Sequence, residues 1–516
     1  MSTRDPVNKP VGICFTVFVY PFFHRFEKIS DFAKQISLFD RWLPWISRLP
    51  DENAAVRAFD DTFIFLPFAR DLLFPEFAGI HYSTEGIELV KQLYSSSKQT
   101  LPRILAPNNR SPLQARFLLR LTLREHELNP IRTFTIRHPI DKYSLNSQIE
   151  WIDLFLCAQQ IGFLAIKTKP SNENLLLADL FDFNYYFRSI IPPTLNWEMA
   201  ELHVAGKNEI NSTQKLVEFL LDGLVEPNTK DYLASTVGQV YGERFNTYSY
   251  AVIDMKNDIE IFQKADPPFQ TVADRILYEY ATTTPWGSSV EPNGTYVPSR
   301  ESVTNLFENF GLSFWQTWRG MSLRDTVVFL AHVSNDFTVK HLLHNVENDY
   351  FNLYLFSLFQ KTGLYRFMHE VIQENDNPRK TLRSTRRVLN RFVQFRNRFW
   401  ALEICRKPQG EQIFHKYQFG LGTRELFQRV DDEIKNLSAF HEAKLSRKIK
   451  NLLDIITFII TPILLVSGIF HAEMFTLDSH WISPNWVLLF LSLLGVGLLY
   501  AIIFIVYYIW ERHASK

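Results

Sequence analysis

The chain has 516 residues, room for two or three domains, and carries 55 basic and 55 acidic side chains. A net charge of zero provides no global field for holding a nucleic acid polymer. Cys14, Cys157 and Cys405 are far apart and follow no metal-binding spacing, and scattered cysteines fit a reducing compartment. Forty-five Phe against 19 Gly suits long helices and aromatic packing more than a loop-rich enzyme.

Residues 11–23, VGICFTVFVYPFF, follow Arg4 and Lys9, as a signal peptide would, but His24, Arg25 and Phe26 come next and no cleavage site does. The β-branched and aromatic content predicts a buried strand over 13–20, ending at Pro21. Further strands are predicted at 62–67, 117–123, 133–136, 151–155, 163–167, 249–253 and 326–333. Helices are predicted between them, among others at 29–43, 171–187 and 213–224. The runs 151–155 and 163–167 lie close enough for a hairpin. This interleaving predicts a cytoplasmic α/β domain over residues 1–340, built on a layered sheet. Residues 283–300, rich in Pro, Gly, Ser and Asn, read as a loop, either a boundary or a lid.

From residue 341 to 451 the pattern predicts a helical bundle and a stalk helix. Aromatic residues crowd 350–373, but Asn352, Gln360, Lys361 and Arg366 interrupt them, so this is a bundle helix and not a membrane span. Asn377-Pro378 stops it. An Arg-rich helix covers 380–405, Pro408-Gln409-Gly410 turns the chain, and a short helix spans 411–418. Thr423 is placed to cap a helix of about 45 residues. On that helix Asp431, Asp432 and Glu433 are a candidate divalent-cation sensor, because hard cations need several oxygen ligands. The competing reading is a solvated acidic turn. His341 and His344 have metal-ligand spacing, but no carboxylate motif completes a site.

Two apolar runs close the chain. Residues 452–470 are 19 residues with one charge, Asp454, and residues 486–510 are 25 with none. Each is long enough to cross about 30 Å of hydrocarbon. Lys444, Arg447, Lys448 and Lys450 precede them, and the 471–485 loop has no Lys or Arg. The positive-inside rule then predicts a multi-pass inner (plasma) membrane protein with both termini, including the 511–516 tail, in the cytoplasm. At about 100° per residue, Asp454, Thr457, Thr461, Leu465, Gly468 and Ala472 fall on one stripe. Polar groups in lipid are costly unless they face protein or water. The stripe lines a pore between copies, or it forms a tight helix seam. Arg447 and Lys450 continue it at the cytoplasmic mouth, as a charge gate or as headgroup anchors.

The string TFIITPILLVSGIF, at 457–470, resembles the first span of CorA-type divalent metal-ion (magnesium) transporters. Pro462 and Gly468 keep that family's spacing, and Phe470 replaces its Tyr. The Gly-Met-Asn signature is missing, and His471, Ala472 and Glu473 stand in its place at the outer mouth. Glu473 there is either a carboxylate ring or an interfacial charge. The resemblance implies a homopentamer with the first spans lining the pore, a stalk that carries motion to it, and regulatory magnesium held by acidic residues between subunits.

The expected fold is therefore an α/β cytoplasmic domain, a long-helix stalk and a C-terminal two-span transmembrane hairpin. The expected function is an oligomeric channel passing divalent cations, with Mg2+ or a similar ion as the transported or regulatory ion. The alternative is a ligand-gated membrane effector of a defence system, like the CorA-like proteins attached to type III CRISPR, opened by a small nucleotide. Both involve self-association and a lipid bilayer. No organic cofactor and no enzyme are expected: G-x-x-x-x-G-K-[ST], G-x-S-x-G and H-E-x-x-H are all absent.

Overall fold

A computed structural model describes residues 10–26, 40–97, 117–137, 144–172, 175–191, 200–225, 244–253, 265–282, 298–332, 337–375, 382–400, 403–474 and 497. Side chains in the C-terminal helix are described as far as Leu464, Ile463 and His441 excepted. The chain divides into two compact units, Met1–Ile434 and Lys435–Lys516.

The first unit is built on an 11-stranded sheet. Its strands are β1 (Val11–Phe23), β2 (Trp42–Pro44), β3 (Leu118–Leu123), β4 (Thr133–Arg137), β5 (Ser144–Cys157), β6 (Ile161–Pro170), β7 (Glu201–Val204), β8 (Asn246–Ile253), β9 (Gly311–Trp315), β10 (Trp318–Ser322) and β11 (Thr326–His332). The order is β2-β3-β5-β6-β1-β8-β11-β10-β9, with β4 paired to β5 and β7. All pairs are antiparallel except β8 with β11. The predicted hairpin is present: Asp153 lies opposite Ala165 in the β5–β6 pair.

The helices are α1 (Glu52–Asp61), α2 (Pro67–Leu73), α3 (Thr84–Ser97), α4 (Glu125–Leu128), α5 (Leu177–Phe187), α6 (Thr213–Leu221), α7 (Val272–Thr282), α8 (Arg300–Phe310), α9 (Phe351–Asn375), α10 (Leu382–Phe399), α11 (Pro408–Gly420) and α12 (Thr423–Met474). The sheet is covered on both faces, which is why its central strands do not alternate between buried and exposed; every residue of β8 and of β11 is buried. On one face Cys14 packs with Leu177 and Ile276 of α5 and α7, while Phe18 packs with Phe183 and Leu216 of α5 and α6. The other face lies under α9: Trp151 meets Phe351, and Tyr248 meets Tyr354.

Several local expectations change. Residues 62–67 are not a strand, because a 3-10 turn, Thr62–Ile64, leads into α2 with Pro67 at its first position. Pro408 likewise opens α11 instead of turning the chain ahead of it. Thr423 is inside α12, and its hydroxyl donates backward to the Gln418 carbonyl at 2.8 Å, while Gly422 makes the left-handed turn at φ +67°. The predicted 29–43 helix falls mostly outside the described residues, and its last positions, Trp42 and Leu43, belong to β2. Residues 283–297 of the predicted loop lie outside them too.

The membrane expectation is corrected. Among the described residues no helix is long and apolar enough to cross a membrane. α12 runs on through Pro462 for 52 residues. Lys444, Arg447, Lys448 and Lys450 stand exposed on it just ahead of Leu452. The CorA-like two-span hairpin, the multi-pass inner-membrane placement and the transporter or channel class are therefore not retained. The second run, 486–510, lies outside the described residues apart from Gly497.

Candidate functional site

The acidic group on α12 does not converge. Asp431 pairs with Arg396 of α10 at 3.7 Å, and Asp432 and Glu433 are exposed. Among the described residues no group of three or more His, Cys, Asp or Glu side chains could hold a metal. Asp454, Thr457, Thr461, Arg447 and Lys450 are exposed on α12. Leu465, Gly468, His471, Ala472 and Glu473 belong to the same helix, but their side chains lie outside the described set.

The fold does assemble a cluster that sequence spacing concealed. Asp325 sits in the turn between β10 and β11, and its carbonyl accepts from Thr247 N–H at the start of β8, 2.9 Å away. That places its carboxylate where the two parallel strands begin. Arg188 ends α5, and its carbonyl accepts from Phe245 N–H at 2.8 Å, which brings the helix end to the same place. Arg244 lies two residues ahead of β8. The Arg188 and Arg244 guanidiniums reach one Asp325 oxygen at 3.8 and 3.7 Å. These distances give attraction but no hydrogen bond. From the other side, Lys361 of α9 donates its ammonium to the Arg324 carbonyl at 2.8 Å.

Two arginines thus share one carboxylate, and a buried lysine is bonded to the backbone beside it. Arg188 is 6% exposed and Lys361 5%. Burial lowers the Lys361 pKa to about 8, with Asp325 pulling it up and Arg324 pushing it down. Burial also lowers Arg188 to about 10, again opposed by Asp325 and assisted by Arg244. Buried cations in excess of their counter-ions are costly unless an anion joins them. The fully buried Tyr354 lies about two turns of α9 before Lys361, its hydroxyl has no hydrogen-bond partner, and Asp325 adds to the burial that raises its pKa.

A second titratable group lies on the approach to α9. The chain there is π-helical at Phe337–Leu342 and Val346–Tyr350, a geometry frequent at functional sites. His344 pairs with Asp61 of α1 at 2.9 Å, so the predicted His341–His344 pair is split by use. Asp349 is nearly buried, and burial followed by the Asp61 charge raises its pKa to about 7.

Sequence reasoning missed the cationic cluster because Arg188, Arg244, Asp325 and Lys361 share no motif. The one available signal was Lys361 itself, a cation set inside an aromatic helix. Compared with known families and with curated proteins, the chain matches none.

Proposed function

We propose that the Met1–Ile434 unit binds a small anionic ligand, with a nucleotide phosphate as the first candidate, and that the protein responds to it through self-association along α12. The observation that carries this reading is the convergence of Arg188 and Arg244 on a single carboxylate, with the buried Lys361 ammonium on the adjoining Arg324 carbonyl. Guanidinium forks suit phosphate oxygens, and a half-buried site strengthens each contact. The reading is one of binding and not of catalysis. α12 supports the second half: Ile449, Leu452, Leu453, Ile456, Ile459, Ile460 and Leu464 are all exposed large apolar side chains. Such a face is ordinarily covered by a partner, and we assign a further copy of this chain.

Titration calorimetry of the full chain with inorganic phosphate, ATP and a cyclic dinucleotide tests the ligand. Binding that an Arg188→Gln/Arg244→Gln variant weakens tenfold or more supports it. Absence of binding by all three, or binding indifferent to that variant, overturns it.

A further inference from the structure

α10 carries six arginines among its 18 residues, and neither an acidic residue nor a lysine. Counting about 100° per residue from Arg386 sorts its side chains by direction. Val388, Phe392, Phe395 and Phe399 fall between about 180° and 240°, and all four are buried. They pack on α9: Phe392 meets Phe367 at 5.5 Å and Phe399 meets Phe359 at 5.1 Å, while the Phe395 ring takes the space that a side chain at Gly363 would need. An ion pair closes each border of this stripe. Arg391, near about 140°, pairs with Glu370 of α9. Arg396, near about 280°, pairs with Asp431 of α12 at 3.7 Å.

The arc from about 0° to 120° is what these contacts leave outward. It holds Arg386, Arg387, Asn390, Gln394, Asn397 and Arg398, and all six are exposed. From Arg386 to Arg398 the row is about 18 Å long at 1.5 Å per residue. It presents three guanidiniums and three amides without one carboxylate, and none of the exposed large apolar side chains belongs to α10. The zero net charge of the chain is an average over both signs, and this face departs from it.

We propose that this face of α10 binds double-stranded DNA, lying along the major groove with its arginines on phosphates and its amides toward base edges. The composition selects the partner. An anionic bilayer holds a basic helix that also inserts apolar side chains, and a protein partner needs an apolar or aromatic centre. This arc offers neither. Guanidiniums and amides both bond phosphate oxygens, and Asn and Gln match the edge of adenine. A helix about 10–12 Å across fits the groove of B-form DNA, about 12 Å wide, whereas the corresponding groove of duplex RNA is too narrow for side chains to read. The surface shares no residue with the cluster around Asp325 and does not depend on it.

Fluorescence anisotropy of the full chain with a DNA duplex of about 20 base pairs, two helical turns, tests the assignment. The wild type is expected to bind. Arg386→Gln/Arg387→Gln/Arg398→Gln is expected to bind at least tenfold more weakly, with a log–log salt dependence shallower by about 2–3. All three positions are exposed, so an unchanged melting temperature is the folding control. Arg57→Gln/Lys215→Gln/Arg300→Gln removes the same charge from exposed positions elsewhere and is expected to bind as the wild type does. DNA binding should also survive in Arg188→Gln/Arg244→Gln, which separates this surface from the anion site. The proposal is overturned if the duplex does not bind at low salt, if the two triple variants lose affinity equally, or if duplex RNA or vesicles of phosphatidylserine and phosphatidylcholine bind more tightly than the DNA.

Discussion

The Lys361 ammonium donates to the backbone carbonyl of Arg324, 2.8 Å away, next to Asp325, whose carboxylate Arg188 and Arg244 share. Its hydrogen-bond acceptor is neutral, and the Asp325 charge favours its protonated form. This makes Lys361 the group whose charge a bound anion would reinforce.

The pH dependence follows. Lys361 drops from 10.5 to about 8 on folding. Between those values the unfolded chain holds a proton that the folded chain has released, so this group makes stability rise with pH from about 8 to 10.5. Below 8 the cost of burying the charge is present in full, on the order of 3 kcal/mol. Lys361→Met is expected to raise the melting temperature at pH 7 and to flatten the alkaline rise. Anion affinity runs the other way, weakening in the wild type as pH passes 8 and losing that dependence in Lys361→Met. Calorimetry at pH 6.5 and 9.5 reads both.

Asp325 is the built-in competitor for the same cations. Asp325→Asn leaves Arg188 and Arg244 without their shared carboxylate, so phosphate or ATP is expected to bind about tenfold more tightly while free-protein stability falls by about 1–2 kcal/mol. A variant that binds anions more weakly than the wild type would show that Asp325 orients the arginines rather than competes with the ligand.

On the approach to α9 the signs reverse. Asp349 rises from 3.8 to about 7, so the folded chain keeps a proton that the unfolded chain has lost, and stability falls as pH climbs from about 4 to 7. His344, whose pKa is raised chiefly by its hydrogen bond to Asp61, contributes stability present below 6.5 and lost as pH rises through its folded value. Both groups thus weaken the fold toward pH 8. Asp349→Asn is expected to gain about 2–4 kcal/mol at pH 8 and almost nothing at pH 4. Thermal melts at the two pH values check the difference.

How much of this was legible depends on how many residues carry each feature. β1, β5, β6, β8 and β11 announce themselves in part, because their buried segments are short runs of apolar, aromatic and β-branched residues such as VVFLA in β11 and YAVI in β8. β2 and β7 have three and four residues, too few to show a period, and exist because longer neighbours pair with them. Pro67 and Pro408 misled for one reason: proline ends a helix from inside but begins one at its first position. The apolar run from Leu452 was read by composition as a span, whereas no helix among the described residues is long and apolar enough to cross a membrane. The cationic cluster was beyond reach, since only the pairing of β8 with β11 brings residues 188, 244, 325 and 361 together.

The last prediction concerns Asp153, the charge most deeply set in the sheet. It is fully buried, receives Arg120 at 2.8 Å and lies 3.3 Å from Arg48. Arg48 stacks on Trp151 at 4.4 Å, and Arg120 on Trp45 at 4.6 Å, so each guanidinium is fixed by a ring as well as by the carboxylate. Removing the carboxylate leaves the buried Arg120 and the partly exposed Arg48 without their shared counter-charge. Asp153→Ala is therefore expected to cost about 3–5 kcal/mol, more than its volume alone explains. Replacing the set together, as Arg48→Met/Arg120→Met/Asp153→Leu, should recover most of that loss, because apolar groups need no partner. Denaturant midpoints of the single and triple variants settle the point, and a triple variant no more stable than Asp153→Ala would mean that shape, not charge, decides this site.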